Sequence, residues 1–239
     1  MTTAGGVLHV ITSTQRRGAE TFAVDLDAAL RSQGVGSDVV ALTPPISYRN
    51  HGGRGVTHGV AALTLDVPTL GEAALSPSTL RSLRRRAASA RLVVAHGSRT
   101  LPACAAALAG RRTPVVYRSI GDPAAWSGQG LRRLRTRLLL RRMAAVAALW
   151  PGAGDAMHRL HGVPRGRIRI IPNGVPAERC PVPDAAARHS ARLRLGLPPD
   201  APVVACIGSL STEKRVGDAV SAVAALPEVH LLVAGDGEE

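Results

Sequence analysis

Three stretches carry side chains that could hold or act on a ligand, each just past a strand-like apolar run. The first is "TSTQRRGAE" at 12–20, where Arg16, Arg17 and Gly18 stand at a strand-to-helix turn. A helix start offers unpaired N–H groups and the positive end of a dipole, and a glycine there lets the backbone approach an anion closely. Two arginines beside it add forked donors suited to phosphate. The same residues also fit a plainer role, a glycine needed for a tight turn with solvated arginines around it.

The second stretch is "VYRSIGDP" at 116–123, in which Arg118 and Asp122 follow a strand end and are the candidate catalytic pair. An internal Arg–Asp pair that only braces the loop reads equally well. His96 closes "VVAHG" in the same way, and there a histidine is either a site residue or a hydrogen-bonded packing residue. The third stretch is "GSLSTEKR": Gly208 and Ser209 end a strand, and Lys214 and Arg215 lead into a helix. A lysine and an arginine at that junction suit a diphosphate, and a basic, solvated helix start is the alternative.

Elements able to position these residues recur along the chain. "VLHVIT" at 7–12 is short and β-branched and predicts a strand; Phe22, Leu26 and Leu30 then repeat at helical spacing, and "SDVVAL" at 37–42 predicts the next strand. "GVAALTLDVP" at 59–68 is expected to be a strand after the polar loop "PPISYRNHGGRG". Further strands are expected at "RLVVAHG", "TPVVYRS", "AAVAALW" and "RIRIIP". Two arginine-rich helices intervene, one with the apolar stripe Leu80, Leu83 and Ala87, the other with Leu131, Leu134 and Leu138. Strands alternating with helices imply an α/β fold with a parallel, doubly wound sheet and a ligand site at the carboxyl ends of its strands. The Pro- and Ala-rich stretch 177–201 has no strand signal and reads as a linker, so the expected division is 1–176, a linker over 177–201, and a second unit from 202 to 239.

Composition narrows the partners. Thirty Lys and Arg against 17 Asp and Glu give a net charge of +13, which favours nucleotides, phosphorylated lipids, anionic membrane surfaces or nucleic acid. With aromatics at 2%, stacking platforms for single strands are lacking, no helix-turn-helix or finger spacing occurs, and nucleic acid is not expected. Cys104, Cys180 and Cys206 have no CxxC spacing or matching histidine pair, so neither a metal site nor a disulfide framework is expected, and a cytoplasmic location is. No apolar run approaches the roughly 18 residues of a membrane span, and contact with a membrane would be peripheral, at its inner face. The arginine-rich helices could meet anionic lipid, or could simply be solvated. No G-x-G-x-x-G follows the first strand, which argues against a nucleotide-dependent oxidoreductase.

Four stretches, "RRGAETFAVDLDAALRSQGVGSDVVAL", "PVVYRSIGD", "HRLHGVPRGRIRIIPNGVP" and "GSLSTEKRVGDAVSAVAALPEVHLLVAGDGE", together resemble the family 4 retaining glycosyltransferases of GT-B architecture in order and spacing. The resemblance implies two Rossmann-like domains facing a cleft. The N-terminal one would take a glycan or lipid-linked acceptor, and the C-terminal one a UDP- or GDP-linked sugar that is transferred with retention. The nucleotide sugar is then a substrate, and neither a cofactor nor a metal is implied. By position, Arg17, Gly18, Gly208, Ser209, Lys214 and Arg215 would contact the donor and its phosphates, with Lys214 the diphosphate lysine, and Arg16 and His96 would lie on the acceptor side. Ser209 stands where the family often has an arginine, leaving Arg215 as second cation, and Arg118 stands where several relatives have a histidine. The family's segment with two glutamates separated by seven residues is not matched by Glu238 and Glu239, so the donor domain is expected to be incomplete. Little or no transfer by the chain alone is the corresponding expectation, and a non-catalytic module binding anionic lipid or a partner chain is the alternative.

Overall fold

The computed structural model describes residues 5–45, 64–126, 129–235 and 237, and the chain divides into two compact units, Met1–Pro176 and Ala177–Glu239.

The first unit is built on a six-stranded parallel sheet of order β2-β1-β3-β4-β5-β6. Its strands are β1 (Val7–Ser13), β2 (Ser37–Thr43), β3 (Leu92–His96), β4 (Val115–Ser119), β5 (Ala145–Ala148) and β6 (Ile168–Ile170). Between them run α1 (Gly18–Ser32), α2 (Pro77–Arg86), α3 (Thr100–Ala107), α4 (Pro123–Trp126), α5 (Gly130–Leu140) and α6 (Pro151–His161). Strand order reverses direction between β1 and β3. This is the switch point where open α/β sheets leave a crevice at the carboxyl ends of the strands.

Successive side chains of a strand point to opposite faces, and both faces of this sheet are covered. On one face Leu8, Val10, Val40, Leu42, Val93, Ala95 and Tyr117 pack with Leu83, Leu101 and Met157; on the other, Ile11, Val39 and Ala41 pack with Ala23 of α1. With so few aromatic rings, small and β-branched side chains fill this core.

Local signals set the helix ends. The Ser76 side chain accepts a hydrogen bond from the Thr79 N–H at 3.2 Å, and Pro77 fills the first turn of α2. Helix α6 starts at Pro151 and stops at Gly162, whose left-handed φ of 66° closes the final turn.

One expectation needs correction, and two other segments gain detail. Of the strand expected at 59–68, residues 59–63 lie outside the described ones; residues 64–68 form no strand, Thr64 taking an isolated bridge to Gln15 and the following Thr69 another to Ala41. The Leu131, Leu134 and Leu138 stripe of α5 does not face the core: these side chains are 85%, 51% and 50% exposed, while Thr136 and Leu140 are buried. Leucine spacing fixed a helical period, but the docked side was chosen by where α5 meets its neighbours, including the Arg133 Nε donating to the Leu160 carbonyl at 3.0 Å.

Residues 177–201, read from the sequence as a linker, have regular structure of their own. They hold α7 (Ala185–Arg194), capped by Asp184, whose carboxylate accepts from the Ala187 N–H at 2.7 Å. The second unit continues with β7 (Val203–Ile207), α8 (Val216–Ala224) and β8 (His230–Ala234), in which α8 is the crossover of a parallel βαβ unit. Glu238 and Glu239 lie outside the described residues.

Candidate functional site

Where β3 and β4 end, beside the middle of β1, a polar cluster is buried. His9 and His96 are 0% and 2% exposed, and the His9 Nδ1 lies 3.0 Å from the His96 Nε2. The outer nitrogens of the pair, His9 Nε2 and His96 Nδ1, have no partner. Burial holds the His9 ring down at about 4; the Arg118 charge adds to this and Asp27 opposes it. His96 is pushed well below the ordinary histidine range by burial, then by His9 and Arg118. Both rings are therefore neutral near pH 7.

Arg118 stands beside His96 in the sheet register and is itself buried. Its Cζ lies 3.8 Å from the centre of the Phe22 ring, a cation–π contact, and its Nη2 donates to the Asn173 Oδ1. Its Nη1 has no partner. Burial lowers the guanidinium to about 10, so it keeps its charge at neutral pH.

Phe22 connects this cluster to the start of α1. Gly18 and Phe22 are four residues apart and so share one face of the helix. Gly18 opens α1, Arg17 precedes it with no side-chain capping bond, and Glu20 is buried in the first turn with its carboxyl raised by desolvation. Gly18 has no left-handed φ, and a Cβ built on it would meet nothing within 4 Å. Neither the turn nor the packing of this chain calls for a glycine there. Arg16 and Arg17 are exposed beside it.

The cluster thus brings together His96, Arg118 and, through Phe22, Gly18. Asp122 does not join it: its carboxylate accepts from the Ala124 N–H at 2.9 Å and shapes the start of α4. The bracing partner of Arg118 is Asn173, not Asp122. His9, Phe22 and Asn173 were missed in the sequence. His9 alone left a signal there, a polar residue in the middle of an apolar strand.

In the second unit, Gly208, Ser209, Lys214 and Arg215 lie on the loop from β7 to α8. Gly208 has a φ of 152°, and its N–H donates to the Ala234 carbonyl at 3.0 Å. Lys214 is exposed and is the chain's single lysine. Arg215 takes a left-handed conformation at φ 52°, and its guanidinium pairs with Asp218 on α8 at 2.6 Å.

Among the described residues no helix is long and apolar enough to cross a membrane, and no group of three or more His, Cys, Asp or Glu side chains could hold a metal ion.

The α/β arrangement is shared with solved glycosyltransferases of GT-B architecture. HepE of Anabaena, solved with UDP-glucose, superposes with a TM-score of 0.75 at 19% identity, over 97% of this chain and 60% of that one. The lipopolysaccharide outer core galactosyltransferase WaaB, in its apo form, gives 0.56 at 12% identity, over 97% and 62%. These likenesses speak to fold. Residues 16–179 match the profile of Glycosyltransferase Family 4, and the chain belongs to that family. A D-inositol 3-phosphate glycosyltransferase of Xylanimonas cellulosilytica is 41% identical over 96 residues, which cover 38% of this chain and 23% of that enzyme. The chain spans about 60% of the length of HepE.

Proposed function

We propose that the protein transfers a sugar from a UDP- or GDP-linked donor to a glycan or lipid-linked acceptor, with retention of configuration and without a metal. The observation that carries this reading is Gly18: a glycine that the chain itself does not need, opening a helix between Arg16, Arg17 and open space. Family membership supplies the class of reaction. As the bond from sugar to nucleotide breaks, negative charge grows on the departing diphosphate. Cations and helix N-termini stabilise that charge, and loss of one such donor costs roughly a hundredfold or more in rate. Lys214 is the cation we assign to it, with Gly208 and Ser209 on the same loop.

Since Lys214 is the single lysine, amine acylation followed by mass spectrometry tests the donor site directly. UDP-glucose or GDP-mannose is expected to protect Lys214, and Lys214→Ala to weaken the binding of either by about tenfold or more. Equal labelling with and without either nucleotide sugar, together with unchanged binding by the variant, would refute the assignment. For the acceptor, a phosphorylated polyol is the first class to assay, because the Xylanimonas relative is named for one.

Peripheral contact of the first unit with the inner face of the membrane belongs to the same reading. It is supported by α5, whose exposed Leu131, Leu134 and Leu138 alternate with the exposed Arg132 and Arg135, an arrangement suited to an anionic lipid surface. Vesicles containing anionic lipid should co-sediment the protein, and replacing the three leucines by serine should release it. Binding that persists only in neutral vesicles would count against this contact.

A further inference from the structure

Arg118 is a buried cation without a buried anion. It is 5% exposed, its Nη1 is unpaired, and no carboxylate pairs with it among the described residues. Three arginines nearer the surface pair with acids, Arg31 with Asp27 and Asp38, Arg165 with Asp155 and Arg215 with Asp218, and others such as Arg84 and Arg133 reach solvent or backbone carbonyls; Arg118 differs from them in being buried. What surrounds Arg118 instead is the face of Phe22, the neutral amide of Asn173, and two histidines held neutral. A ring face and one amide oxygen hold the guanidinium in place, yet they do not neutralise it. Burying a charge without a counter-charge is costly, and such a group is kept where something else supplies the opposite sign.

The position says where that charge would come from. Arg118 lies at the carboxyl end of β4, with Phe22 placing it one turn along α1 from Gly18, so the helix N-terminus and the unpaired Nη1 serve the same end of the sheet. We propose that Arg118 is the receptor for a phosphoryl oxyanion of a substrate, its free Nη1 donating to a phosphate oxygen while Asn173 and Phe22 hold the guanidinium in place. This deepens the transferase reading and rests on it for the identity of the substrate. The phosphoryl group belongs either to a phosphorylated acceptor or to the donor diphosphate. An arginine serves this role better than a lysine, because its fork can bond Asn173 and a ligand oxygen at once.

The test is a titration of the protein with inorganic phosphate, followed by phosphorus NMR, beside Arg118→Met and Arg118→Lys. Phosphate is expected to bind the wild type, to lose about tenfold or more in affinity in Arg118→Met, and to recover in part in Arg118→Lys. Without ligand, Arg118→Met should unfold at the same temperature as the wild type or higher, since it removes a buried unpaired charge. Displacement of bound phosphate by D-inositol 3-phosphate but not UDP assigns the site to the acceptor, and the reverse assigns it to the donor. Unchanged phosphate binding in Arg118→Met overturns the inference. So does a marked drop in its unfolding temperature, which would make Arg118 a structural brace. Phosphate binding is read without any sugar transfer, so its loss in Arg118→Met would uphold the oxyanion site even if the Lys214 experiment failed.

Discussion

Strands β3 and β7 are both five residues long, "LVVAH" and "VVACI", and both pair in parallel, yet one is interior and the other is not. Val93 and Ala95 of β3 are fully buried between flanking strands and helices on both faces of the sheet; Val204 and Ile207 of β7 are 43% and 81% exposed. Among the described residues of the second unit none is buried. Local sequence is enough to make a strand, but burial depends on what covers it, and hydrophobic stabilisation follows the covered area. The stability of these 239 residues therefore resides in the first unit.

Both tryptophans, Trp126 and Trp150, belong to that unit, so their fluorescence reports its unfolding alone. The largest effect is expected from Leu83→Ala, which empties a fully buried position and should cost about 2–5 kcal/mol in chemical denaturation followed by fluorescence. Acid comes next. Unfolded, His9 takes up a proton as the pH falls below 6.5, whereas folded it resists until about 4. Its contribution is thus present above 6.5 and lost across that window, on the order of 3 kcal/mol. A His9→Leu variant should show a flatter stability profile between those pH values; an unchanged profile would remove the histidine from the account.

Smaller effects belong to the second unit. Asp184→Ala removes the cap of α7 and should cost about 1 kcal/mol, read by amide exchange in that helix and not by tryptophan. Val204→Ala should cost less than about 1 kcal/mol. If it proved as costly as Leu83→Ala, the β7 face would have to be covered in solution, and the contrast between the two units would collapse.

Much of this contrast could not be read in advance. Apolar runs and helical periods located β1, α1, β2 and the later strands because each is a local signal. The outward turn of Leu131, Leu134 and Leu138 was hidden, since a period names one side of a helix without saying which side docks. Helix α7 was hidden by its proline-rich surroundings although Asp184, a common capping residue, stood before it. In the candidate site Gly18 was visible at a helix start, and His96 and Arg118 at strand ends. Asn173 left no local signal, because its bond to Arg118 joins residues 55 apart along the chain.

The close approach of His9 and His96 has one more consequence. Each neutral ring carries one N–H, and a single hydrogen can occupy the 3.0 Å gap between the His9 Nδ1 and the His96 Nε2. If His9 donates it, the outer His96 Nδ1 must bear a hydrogen and the outer His9 Nε2 is bare. If His96 donates it, both ends invert. The two imidazoles form a short proton wire whose polarity reverses as a unit, so what they offer beside Arg118, donor or acceptor, is set by tautomer alone, with no atom heavier than hydrogen displaced.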